Sequence, residues 1–231
     1  MTAHFFLEME RLHRNILSMC SAAEELICEA IDGLKRGRAE LPVELASRDH
    51  EVDQWDIQLQ EECLKILALY HPVANDLRRV MVVMKITGEL ERVADLAVSI
   101  SERSAGIARY GDFPMPTGLE EMAHEALAML HDSIDAFVEQ NSRAAREVCR
   151  RDDQVDGLND QLIQEVVDVM KRRPDLIEPA MHLFSVIRHV ERVADHATNI
   201  AEDVVYLVEG AIIRHPRLPR NEGGLVGSVD G

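Results

Sequence analysis

The sequence predicts an all-α protein, made of two tandem, pseudo-symmetric antiparallel three-helix bundles with six long helices in total. Three observations predict it. Leu, Ile, Val, Met and Ala recur at three- and four-residue spacing along most of the 231 residues, and no run alternates as a strand would. Pro and Gly gather at short breaks between those runs. The pentapeptide Glu91-Arg92-Val93-Ala94-Asp95 returns letter for letter as Glu191-Arg192-Val193-Ala194-Asp195, which points to a duplication.

The first helix is expected over Phe5 to Lys35, where good helix formers carry an apolar stripe. Gly37 and Pro42 break it, and a second helix follows from Val43 to Tyr70 with Val52, Trp55, Leu59, Cys63, Ile66 and Leu69 as its core face. His71-Pro72 stops that helix, and Pro72 suits the first turn of a third that runs to about Arg109, with Val83, Ile86, Leu90, Val93, Ala97 and Ile100 turned inward. Gly111, Pro114, Pro116 and Gly118 form the clearest linker. A fourth helix spans Leu119 to about Gln140 and a fifth Ser142 to Arg172. Pro174 or Pro179 opens a sixth that reaches Ile213. The domains therefore divide as 1–112 and 113–213, and 214–231, with four glycines and two prolines, reads as a mobile tail.

The repeat extends beyond the pentapeptide. Met19, Ile31, Asp32, Glu44, Arg48, Asp49, Val52, Asp53, Gln58, Leu59 and Glu62 recur 103 positions later as Met122, Ile134, Asp135, Glu147, Arg151, Asp152, Val155, Asp156, Gln161, Leu162 and Glu165. The second hairpin is three residues shorter, so the offset falls to 100 for the pentapeptide.

Charge narrows the function. Forty-two acidic against 25 basic residues give a formal charge of −17, which excludes nucleic acid and anionic membrane surfaces as direct partners. Metal cations suit such a chain, and an anion would need a metal or a local Arg cluster. Cys20, Cys28, Cys63 and Cys149 make no CxxC pair, which fits a reducing cytoplasm. Glu8 and Glu10 fall where a signal peptide needs an apolar core, and no run approaches a membrane span.

Within each copy of the pentapeptide, Glu and Asp lie four residues apart on one helix face. Glu102 and Glu202, eleven residues after each Glu, extend the acidic stripe. With a turn at His71, Asp53 lies 18 residues before it and Glu91 20 after; at ~1.5 Å per residue their levels differ by about 3 Å. Asp49 and Asp95 match at 22 and 24. With a turn at Arg173, Asp156 and Glu191 stand at 17 and 18, and Asp152 and Asp195 at 21 and 22. Four carboxylates thus reach one height in each bundle, at the rim of the core stripe, and would repel unless a cation neutralised them. Such oxygen-rich sites suit Mg, Mn, Ca or Fe, with His196 as a possible nitrogen ligand. The plain alternative is a solvated face salt-bridged by Arg48, Arg92, Arg151 and Arg192.

Other signals are weaker. His182, His189 and His196 recur every seven residues as a core-flanking stripe. Glu121 to His124 has the ExxH spacing of di-iron bundles, but its first-half equivalents are Ser18 and Ser21. Asn75 to Arg79 is either a solvated first turn or an anion contact. Met81, Met84 and Met181 are expected to fill the core. No nucleophile–base pair or phosphate loop is present.

The two E-x-x-x-D copies, His71-Pro72-Val73-Ala74 followed by Asp76-Leu77-Arg78, and Asp195-His196-Ala197-Thr198-Asn199-Ile200-Ala201-Glu202 together resemble the PhoU family, bacterial regulators that accompany the high-affinity phosphate ABC transporter. The resemblance implies paired three-helix bundles, usually dimeric, whose motif acids Glu91, Asp95, Glu191 and Asp195 hold metal, with iron and zinc among the ions. It also implies a negative regulator of phosphate uptake and phosphate-starvation signalling that contacts the transporter's ATPase subunit or the sensor histidine kinase, and meets the membrane only through them. Asp49, Asp53, Asp152 and Asp156 are added by the hairpin counting. Leu96 and Ser99 stand where the second half has His196 and Asn199, so the first site is expected to be weaker or selective for another ion. A carboxylate-bridged di-metal oxidase and a purely structural scaffold are the rival readings.

Overall fold

The computed structural model describes residues 3–36, 38, 40–111 and 113–213. Six α-helices, with one short 3-10 turn, make up its regular structure: α1 Ala3–Arg36, α2 Leu41–Tyr70, α3 Ala74–Ala108, α4 Gly118–Glu139, α5 Ser142–Arg172 and α6 Ile177–Glu209. No strand occurs among the described residues. Helices α1 to α3 pack together as one antiparallel bundle and α4 to α6 as a second.

Local chemistry sets most of the boundaries. His71 turns left-handed at φ 47° and gives its N–H to Leu67 O, which closes α2. Val73 is then extended, so α3 opens at Ala74 and Pro72 precedes its first turn instead of occupying it. Asn141 caps α5 by accepting from the Ala144 N–H at 3.1 Å. The sixth helix stops at Glu209, short of the expected Ile213, because Gly210 adopts φ 72° and its N–H returns to Tyr206 O. Gly37 and the tail 214–231 lie outside the described residues.

The expected inward faces hold, with two corrections. Val52, Leu59, Cys63 and Ile66 are buried and Trp55 is partly so, but Leu69 is exposed because in the last turn of α2 it is Tyr70, four residues after Ile66, that turns inward against Phe5. Met81 and Met181 are also exposed, and Met84 is only partly buried. They lie on the rim of α3 and α6, not inside it.

What the one-sided stripe underestimates is the second apolar face of α3 and α6. Val82, Ala94 and Leu96 are buried in addition to the expected positions, as are Ala194, Ala197 and Ala201 on α6. These faces pack against each other, so both halves share one continuous core. The crossing is antiparallel: Lys85 Nζ meets Asp203 Oδ1 at 2.8 Å, Glu89 meets His196 at 2.7 Å, and Gly106 lies against His182. Interpolating that register sets Val93-Ala94 opposite Val193-Ala194, so the two copies of the repeated motif meet back to back where the bundles join. Small side chains there let the backbones approach closely. Ala94→Leu and Ala194→Leu are each expected to destabilise the fold by about 1–3 kcal/mol through overpacking, read as a lower urea midpoint with an unchanged slope.

Candidate functional site

Each hairpin brings its four acids together. In the first groove, between α2 and α3, Asp49 feels the charges of Asp53, Asp95 and Glu91, and with burial as the largest cause its carboxyl is pushed up to about 6. Burial, then Asp95, Asp56 and Asp53, raises Glu91 as well, against the opposing pull of Arg92. The second groove, between α5 and α6, repeats the pattern. Burial and the neighbouring Asp195, Asp156 and Asp152 raise Glu191, while burial and Asp156 raise Asp195. Asp152 is raised by burial but is partly relieved by Thr198 Oγ1, which donates to its Oδ1 at 3.2 Å. Val98 occupies the Thr198 position in the first groove and offers no such donor.

The arginines divide unexpectedly. Arg48 and Arg151, one residue before Asp49 and Asp152, turn away from the grooves to acids of the neighbouring helix: Arg48 to Glu25 at 3.3 Å and to Glu29, and Arg151 to Glu125 at 2.6 Å and to Asp132. Arg92 does serve the first groove, at 3.1 Å from Glu91 and 3.2 Å from Asp95. In the second groove its place is taken by Arg188, 3.2 Å from Glu191, at a position that is Gly88 in the first half. Three of the four arginines expected to neutralise the acids, Arg48, Arg151 and Arg192, therefore form no ion pair with them among the described residues.

His196 is not drawn into the quartet. Its Nδ1 lies 2.7 Å from Glu89 Oε2 across the crossing, and Asn199 Nδ2 donates to the same oxygen at 3.2 Å. The departures at Leu96 and Ser99 thus alter a contact between bundles, not the lining of the first groove. Glu202 continues the second groove one turn further, beside Cys149; Glu102 is exposed and extends nothing. Glu121 and His124 are exposed, and Arg78 donates to Asn75 Oδ1 beside Gly210, its Nε buried without a partner among the described residues.

Sequence counting missed one position in each groove. Asp56 bears on Glu91, and its repeat equivalent Asn159 is buried. The signal was available: each lies three residues after a predicted acid, one turn along the same face.

The donor set suits a hard or borderline cation. Glu191 Oε2 and Asn159 Oδ1 are buried oxygens without a hydrogen-bond partner among the described residues, and such oxygens usually have a water or an ion. Among the described residues, no three His, Cys, Asp or Glu side chains close on a common point. The acids share a level and a field but are not a preassembled chelate. Asp49, Asp53, Glu91 and Asp95, with Asp56, would hold an ion in one groove, and Asp152, Asp156, Glu191 and Asp195, with Asn159, in the other.

The PhoU domain model matches residues 16–104 and 119–204, one match in each bundle. A phosphate-specific transport system accessory protein PhoU homolog of Aquifex aeolicus is 35% identical over 213 residues, covering 92% of this chain and 96% of that one. The homolog of Deinococcus radiodurans is 35% identical over 195 residues, covering 84% and 92%. The crystal structure of PhoU from Pseudomonas aeruginosa superposes with a TM-score of 0.87 at 29% identity, covering 90% of this chain and all of that one. The chain belongs to the PhoU family.

A carboxyl raised in the folded state binds its proton more tightly there than in the unfolded chain, so ionising it costs stability. For Asp49 that cost is full above about 6 and is relieved as pH falls towards the usual 3.8. Metal-free Asp49→Asn protein is therefore expected to exceed wild type in urea midpoint at pH 7, with the advantage shrinking as pH falls from about 6 to about 4.

Proposed function

We propose that this PhoU-family chain is a metal-binding, non-enzymatic cytoplasmic regulator of phosphate homeostasis. It restrains high-affinity phosphate uptake and phosphate-starvation signalling through contacts with the transporter ATPase subunit or the sensor histidine kinase, and works as a homodimer. The regulatory half is supported by relatives named as phosphate-specific transport system accessory proteins and by a similar structure from Streptococcus pneumoniae described as a phosphate transport system regulatory protein, at 27% identity and a TM-score of 0.84. Among the described residues, no helix is long and apolar enough to cross a membrane.

The observation that carries the metal half is the duplicated quartet, with carboxyls raised by burial and then by one another's charge in both grooves. A bound cation would offset that repulsion and tie α2 to α3 and α5 to α6. Iron or zinc is the ion the family implies; Mg, Mn and Ca also suit the oxygen donors. The protein's own part is to hold the acids at one level and to limit their neutralisation to Arg92 and Arg188. The di-metal oxidase reading has no observation in its favour, since the ExxH pair is exposed on α4.

Protein purified without a metal-affinity tag is expected to retain or take back metal, measured by elemental analysis, and the Glu191→Ala/Asp195→Ala variant to lose about half of it. Wild type with no bound or restorable metal would remove the metal half. Deleting the gene is expected to switch on phosphate-starvation transcription in phosphate-rich medium, and unchanged transcription and uptake would remove the regulatory half.

A further inference from the structure

The pseudo-twofold relation between α3 and α6 produces two crossings that ought to be alike. At one, Glu89 of α3 supplies an anion to two groups of α6: His196 at 2.7 Å and Asn199 at 3.2 Å. At the other, the repeat offset of 100 places His189 where Glu89 stands, Ser99 where Asn199 stands and Leu96 where His196 stands. The carboxylate is gone and nothing in the chain replaces it.

What surrounds His189 is cationic. Arg192 lies one turn along α6, and Arg103 lies one turn beyond Ser99 on α3; both guanidinium groups are near enough to disfavour a proton on the ring. Neither arginine has a carboxylate within ion-pair distance among the described residues, in a chain with 42 acidic side chains. The charge of Arg192 is felt by its neighbour in the second groove, Asp195. The first-half equivalent, Arg92, pairs with both Glu91 and Asp95, whereas in the second groove Arg188 makes the ion pair with Glu191 and Arg192 makes none among the described residues. His189 Nδ1 is buried and has no hydrogen-bond partner. A buried imidazole nitrogen without a partner among the described residues, beside two solvent-exposed guanidinium groups that form no ion pair, is a setting that suits a negative component.

We propose that this crossing binds a small tetrahedral oxyanion of the phosphate or sulfate class, with Arg103 and Arg192 as its charge partners and His189 and Ser99 as hydrogen-bond donors. Guanidinium groups suit such an anion because their fork matches two of its oxygens. The ligand takes at this crossing the part that Glu89 plays at the other, joining α3 to α6 and so one bundle to its partner. The inference stands on the geometry of the crossing and not on the regulatory reading.

The test uses the full chain, stripped of metal with a chelator and dialysed into chloride buffer, with radiolabelled inorganic phosphate in equilibrium dialysis. Saturable binding of one phosphate per chain is expected, competed by sulfate. Arg103→Gln and Arg192→Gln should each weaken it at least tenfold at an unchanged urea midpoint, while Arg143→Gln on the exposed face of α5 leaves it unaltered. Absence of saturable binding, or binding that either of the first two variants leaves intact, overturns the proposal. So does phosphate uptake that appears only after metal is restored and vanishes in Glu191→Ala/Asp195→Ala, because the anion is then held by the metal. None of these results bears on the gene-deletion phenotype, so the two readings fail separately.

Discussion

Like charges held at a fixed height are the constraint on which this molecule turns. Each groove confronts four carboxylates with one another, and the chain could disperse them only by sliding one helix of the hairpin past its neighbour. The packing forbids that slide. Val52, Leu59, Cys63 and Ile66 on α2 are locked into the same core as Val83, Ile86, Leu90 and Val93 on α3, and close-packed interiors do not accommodate a shifted register. Apolar burial thus holds in place an electrostatic arrangement that opposes it, which leaves the acids poised for a cation instead of for one another.

The join between the bundles has a comparable logic. The motif that supplies Glu and Asp to a groove also supplies Val93, Ala94, Val193 and Ala194 to the crossing of α3 and α6. One face of a five-residue stretch builds the interface while its opposite edge builds the site. A change in hairpin geometry at a groove therefore acts through the same backbone turn that fixes the angle between bundles. Buried groups bridge that crossing, with Asp203 held by Lys85 at 2.8 Å and its side chain only 3% exposed. Severing such a contact leaves a charge in a poor solvent, which makes the crossing resistant to partial loosening.

Much of this was legible in the chain before any coordinates. The limits of α5 could be read to the residue, because Asn141 and Pro174 bracket it, and counting along two hairpins grouped acids that do feel one another's charge. The end of α6 was not read correctly, since Gly210 stops a helix only by adopting a positive φ that the one-dimensional pattern does not reveal. The direction of long side chains was also hidden. Arg48, Arg151 and His196 each lie near a groove in sequence, yet Arg48 and Arg151 are claimed by carboxylates on the preceding helix and His196 by one on α3 of the other bundle. The widened apolar face of α3, with Val82, Ala94 and Leu96, did carry a readable sign of the second partner helix.

The exchange of Thr198 for Val98 makes the duplicated halves unequal. One hydroxyl relieves Asp152, while Asp49 has none and sits at about 6; Asp56 adds a further negative charge where Asn159 is neutral. Were each compartment to take a cation, a rising titrant would fill one vessel before the other, and a single concentration would become an ordered pair of states.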